Sequence, residues 1–187
     1  MLEVAVSTAI LAIGLLGIAV LITNLLTMGS TSRYMAMANV LASEKLDNLN
    51  KWPSNSLNVQ PGGALTGPST CAAGDIYCDQ VTVSETSGAD YETQTQYNDD
   101  GTVTSTTLVH TSAGCVNTPA VCGVAQPPAG TSTFTRRWLI TTNPVVTPVG
   151  GGAGQTITGA RRVSVVVFMT TQMQRNPVSF QLSMVRP

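Results

Sequence analysis

The sequence predicts an α+β protein: one long N-terminal helix, apolar over its first half, followed by a head built mainly from antiparallel β-strands. Three observations lead there. An unbroken apolar run opens the chain, an amphipathic stripe at helical spacing follows it, and the last third is rich in β-branched residues that alternate as strands do. The expected divisions are a hydrophobic stem at residues 1–28, an amphipathic helical half at 29–52 and a head at 53–187. Within the head, 53–132 reads as a loop-rich region carrying the cysteines and 133–187 as the β-sheet.

Composition narrows the function classes. The chain has 187 residues, enough for one domain and an appendage, with a formal net charge of −1 and only 10% charged residues. Nine Lys and Arg scattered over that length make no basic stripe, so nucleic acid is not expected as a ligand. The 26 Thr and 15 Ser provide the water-compatible surface that charges do not. With 43% hydrophobic residues and so few charges, the chain is not of disordered type.

The stem is the first element to justify. Residues 4–22 are nineteen in number, with Ser7 and Thr8 as their only polar members, and no charge stands between Glu3 and Arg33. As a helix they reach about 28 Å, close to the hydrocarbon thickness of a bilayer. No basic segment precedes the run and no A-x-A site follows it, which argues against a cleaved signal peptide. Arg33 and Lys45 would by charge alone leave the following part in the cytoplasm, whereas the cysteines indicate the oxidising side. A short basic leader before Met1, removed on maturation, is expected to reconcile the two. Glu3 is a carboxylate at the start of an apolar helix, where the helix dipole favours it by several tenths of a kcal/mol.

The opening MLEVAVSTAILAIGLLGIAVLITNLL resembles the N-terminus of type IV pilins and pseudopilins, above all the PilV-type minor pilins. The matching positions are Leu2-Glu3-Val4, Ala9-Ile10-Leu11 and the run from Ala12 to Gly17, within about the first thirty residues. The resemblance implies the type IV pilin fold, with a long helix whose hydrophobic half protrudes and an antiparallel C-terminal sheet. It also implies a subunit-assembly site: the Glu3 carboxylate neutralised by the terminal amine of a neighbouring copy. Met1 would hold that amine if the head is shortened, since Glu3 stands two positions earlier than the family's glutamate. The family's stem proline is replaced by Val20, so Gly14 and Gly17, each costing about 1 kcal/mol relative to Ala, are where local melting is expected. Small residues at Ala9, Ala12, Gly14, Gly17 and Ala19 would let neighbouring stems approach closely.

The partners so implied are further copies in a helical filament, the inner membrane before assembly, and the pilus assembly machinery. The location the resemblance implies is the bacterial inner membrane for the precursor and then the extracellular pilus. The expected function is that of a structural filament subunit. A minor pilin or pseudopilin priming or capping a pilus or secretion filament is the first alternative. A monomeric, membrane-anchored periplasmic binding domain is the alternative of another class; it explains the apolar run but not Glu3.

Beyond the stem, Met35, Ala38, Ala42, Leu46, Leu49 and Trp52 form an apolar stripe, opposite Arg33, Asn39, Ser43 and Lys51. Trp52 precedes Pro53, which excludes the α region for it and ends the helix. A helix from the start to Trp52 would be about 78 Å long. Strands are predicted at 81–86, 91–97 and 102–110, and Asn98-Asp99-Asp100-Gly101 reads as a hairpin turn rather than a calcium loop. Cys71 and Cys78, and likewise Cys115 and Cys122, stand seven positions apart. Four cysteines allow three pairings, and the equal spacing favours two local disulfides.

Strands are predicted again at 133–142, 161–171 and 177–185. Asn176-Pro177 is expected as the turn between the last two. Val163, Val165, Val167 and Met169 would face the helix, with Val166 and Phe168 on the other side. Arg136-Arg137 and Arg161-Arg162 are expected to protect sheet edges or link subunits. A lone His110, no phosphate loop and no run of metal ligands predict neither an enzyme nor a metal or cofactor.

Overall fold

The computed structural model describes residues 2–83, 89–98, 100–124, 132–169 and 178–186; the side chains of residues 2–5, 8, 9 and 27 lie outside the description. Helix α1 spans Leu2–Lys51 without a break. It remains regular through Gly14 and Gly17, because a single glycine's cost is small beside a continuous hydrogen-bond ladder. It ends one residue before Trp52, where the following proline removes the helical option. A 3₁₀ turn, Leu57–Val59, follows, capped by the Ser56 hydroxyl, which accepts from the Asn58 N–H.

The strands are β1 (Gly62–Gly63), β2 (Cys78–Val83), β3 (Ala89–Tyr97), β4 (Val103–Thr111), β5 (Val116–Asn117), β6 (Ser132–Thr142), β7 (Val145–Val146), β8 (Gln155–Thr156), β9 (Arg161–Met169) and β10 (Ser179–Arg186). A four-residue helix, α2 (Pro119–Cys122), lies between β5 and β6. Eight strands form one antiparallel sheet in the order β10-β9-β6-β2-β3-β4-β5, with β1 also pairing β6, while β7 and β8 make a small separate ribbon. The sheet is therefore not confined to 133–187. Its strands β1 to β5 come from 53–132, because β2 inserts beside β6 and brings its hairpin partners with it. The predicted turn at 98–101 joins β3 to β4: the Gly101 N–H donates to the Asn98 carbonyl, and Gly101 takes φ +82°, which a side chain would resist. Asp99, residues 84–88 and the expected turn at Asn176-Pro177 lie outside the described residues.

The chain divides into two compact units, residues 1–36 and 37–187. Residues 29–36 bury nothing fully, so the boundary falls where Ala38 begins the buried stripe. In the second unit, the C-terminal part of α1 covers one face of the sheet. Ala38, Leu41, Ala42, Leu46 and Leu49 are buried with Val81, Phe134, Trp138, Ile140, Val163, Val165 and Val167. Adjacent strands stay in step across this face: Trp138 pairs Val165 and Arg136 pairs both Val167 and Asp79.

The opposite face is covered as well. Arg137 donates to the carbonyls of Pro68 and Thr70, and the Thr135 hydroxyl donates to that of Ser69, which draws the segment before β2 across it. Val166, which lies on this face beside Arg137 as expected, is buried by that cover. Farther along, Ala89, Tyr91 and Val109 make a small second core with Val124 against it. The disulfide Cys115–Cys122 closes the chain segment that carries β5 and α2, and Cys71–Cys78 closes the loop that enters β2.

Candidate functional site

The residues to which the sequence resemblance assigns an assembly role lie in the stem. Every large apolar side chain described from Val6 to Met28 is 51–71% exposed. A soluble surface rarely leaves so much contiguous apolar area in water, so the segment calls for lipid or for other apolar helices around it. α1 is long and apolar enough to cross a membrane. Gly14 and Gly17 lie within that segment with open space where a Cβ would stand, so nothing among the described residues requires glycine there. Glu3 belongs to α1, but its side chain, like Met1, is outside the described residues.

A second cluster, not foreseen from the sequence, lies between α1 and the sheet. Lys45, assigned from the sequence to neither face of the helix, is only 6% exposed. Its Nζ donates to Asp79 Oδ2 at 2.7 Å and sits 4.0 Å from the centroid of the Trp138 ring. Arg136 grips the same carboxylate through two bonds, Nε to Oδ1 at 2.6 Å and Nη2 to Oδ2 at 2.8 Å, and its Nη2 also donates to Glu92 Oε1. Two cations thus meet two carboxylates, so the buried set is balanced. Burial raises the cost of charge on Asp79, but Arg136 and then Lys45 outweigh it and hold its carboxyl below the ordinary range. Burial wins at Lys45, where the ammonium is held below the usual lysine range despite the pull of Asp79. Arg136 is held above its ordinary value by Asp79 and Glu92 against the effect of burial.

The expectation that Arg136 and Arg137 guard an edge or reach a neighbouring subunit is therefore corrected. β6 is an interior strand, and both guanidinium groups are satisfied within the chain: Arg136 as above, Arg137 by Pro68, Thr70 and Asp75 at 3.4 Å. Arg161 and Arg162 likewise donate to the carbonyls of Val59 and Val145.

At the outer end of this network, Glu92 on β3 faces His110 on β4, with Glu44 of α1 beside them. The cluster borders a groove of about 650 Å³ lined in part by Asn39, Ser43, Asp47, Lys51 and Gln94. His110 looked solitary in the sequence because its two neighbours are 18 and 66 positions away; only the alternation that points Glu92 and His110 toward α1 hinted at the meeting. No protein-family model, no curated protein and no solved structure matches the chain.

Proposed function

We propose that the chain is a structural subunit of a type IV pilus-like filament, built by packing apolar N-terminal helices around a common axis. The observation that carries this reading is the stem, whose described large apolar side chains from Val6 to Met28 are more than half exposed. Exchange of lipid for neighbouring stems changes little hydrophobic free energy, so close packing at small residues and polar pairing must drive association. Gly14 and Gly17 supply the first. Glu3, neutralised by the terminal amine of the next copy, supplies the second, and a lone membrane anchor gives that carboxylate no task. The two disulfides suit an oxidising compartment, which fits insertion in the inner membrane followed by display outside the cell.

The test separates membrane insertion from polymerisation. Cells expressing the wild-type chain, Glu3→Ala or Glu3→Lys are sheared, and the filament fraction and the membrane fraction are probed separately. Wild type is expected in both fractions, and the Glu3 variants only in the membrane. Wild type that never leaves the membrane would support an anchored monomer instead, and Glu3→Lys filaments in normal amount would remove the carboxylate from the assembly.

A further inference from the structure

We propose that Glu44, Glu92 and His110 hold a divalent transition-metal ion of the zinc type, tying α1 to strands β3 and β4. Each residue offers one ligand atom, and the three atoms lie within 4.8 Å of one another. His110 Nε2 is shielded from solvent, yet it makes no hydrogen bond among the described residues. It stands 3.4 Å from Glu92 Oε2. Zinc–ligand bonds of about 2.0–2.2 Å in a tetrahedron place adjacent ligand atoms about 3.3–3.6 Å apart, so that separation fits two ligands of one ion. The shielded ring nitrogen has only this long contact with the Glu92 carboxylate and no hydrogen bond among the described residues, and a metal between the two would give both a full bond.

The surroundings have the form of a metal site's outer layer. Glu92 Oε1 accepts from Arg136 and Gln94, which orients the carboxylate and leaves Oε2 toward the histidine. One imidazole and two carboxylates suit zinc-like ions better than calcium, which takes six to eight oxygens. The charges behind the site are already matched, Lys45 and Arg136 against Asp79 and Glu92. Glu44 therefore adds the negative charge that the cation meets, and Asp47 on the same groove adds another. The remaining coordination positions open toward that groove, where water would fill them. This site is independent of how the stem assembles.

Full-length protein in detergent, freed of metal with a chelator, is titrated with zinc chloride by equilibrium dialysis and by thermal melting. One ion per chain and a rise in melting temperature are expected. Glu44→Gln and His110→Ala should each weaken zinc binding at least about tenfold, as loss of a ligand must exceed loss of an outer partner. Glu44 is exposed, so its variant should melt like wild type when metal is absent. Calcium or magnesium at equal concentration should leave zinc in place. Failure of the wild type to bind one equivalent, variants that bind as tightly as wild type, or displacement by calcium would each overturn the assignment.

Discussion

Lys45 Nζ lies 2.7 Å from Asp79 Oδ2 in the interior between α1 and the sheet, so the helix is held to β2 by a buried ion pair as well as by apolar packing. The two partners are not equivalent. Asp79 serves both Lys45 and Arg136, whereas Lys45 serves Asp79 and the Trp138 ring. Removing the anion strands two buried cations with only Glu92 to meet them. Asp79→Ala should cost about 3–5 kcal/mol. Lys45→Met keeps the volume and leaves Asp79 with its two Arg136 bonds, so it should cost less than about 2 kcal/mol. Denaturant unfolding of both variants decides, and a Lys45→Met that is the worse of the two would contradict this ordering.

The same pair sets an acid limit. Because the native carboxyl of Asp79 titrates below its ordinary value of 3.8, the unfolded chain takes up a proton first as pH falls. The stability that Asp79 contributes is complete above that value and drains away between it and the lower native one. Thermal melts at descending pH should therefore show a steep loss below about pH 4 for the wild type. In Asp79→Asn the loss should be shallower from a lower starting point.

The disulfides should differ in consequence although their loops have equal length. Closing each loop restricts the unfolded chain by about 2–3 kcal/mol in the chain-entropy account. Cys78 is fully buried beside Asp79 at the start of β2, while Cys115 and Cys122 are half-buried in the segment of β5 and α2. Replacing Cys71 and Cys78 by Ser puts a hydroxyl into the core and should lower the melting temperature more than the Cys115 and Cys122 pair does. Equal melting temperatures for the two double variants would show that loop closure alone matters.

Gly63 faces a backbone limit. It takes φ +87° next to β6, and a Cβ there would come within 2.1 Å of the Trp138 carbonyl oxygen. Gly63→Ala should cost about 2–4 kcal/mol, combining strain with displacement of β1. Gly114 has a similar φ but open space, so Gly114→Ala should cost only about 1 kcal/mol. Urea midpoints of the two variants test the contrast.

The apolar stem and the head should separate in solubility. Residues 37–187 bury their own core and form their own compact unit. A chain shortened to residues 29–187 should remain in solution without detergent and show one cooperative melt, whereas the full chain should require detergent or a membrane. Precipitation of the shortened chain would mean that the stem contributes to the head's fold.

Much of the architecture was legible in advance because it depends on local chemistry. The uncharged run between Glu3 and Arg33, the proline after Trp52, the Asn98–Gly101 turn and the β-branched runs of β6 and β9 each act within a few residues. They determine where helix and strands begin and end, and they determine that the stem must sit among other apolar groups. What periodicity does not encode is which strand lies beside which. β2 beside β6 was decided by tertiary packing, and with it the burial of Arg136 against Asp79, 57 positions away, and of Lys45 against the same carboxylate from 34 positions away. Lys45 falls at helical spacing between Ala42 and Leu49, and Arg136 falls between Phe134 and Trp138 on the inward face, so both stand among buried apolar residues. They stay charged there because each meets an opposite charge, a pairing that exists only once helix and sheet are in contact. The meeting of Glu44, Glu92 and His110 has the same origin: three separate elements bring single ligands together, and no spacing along the chain records it.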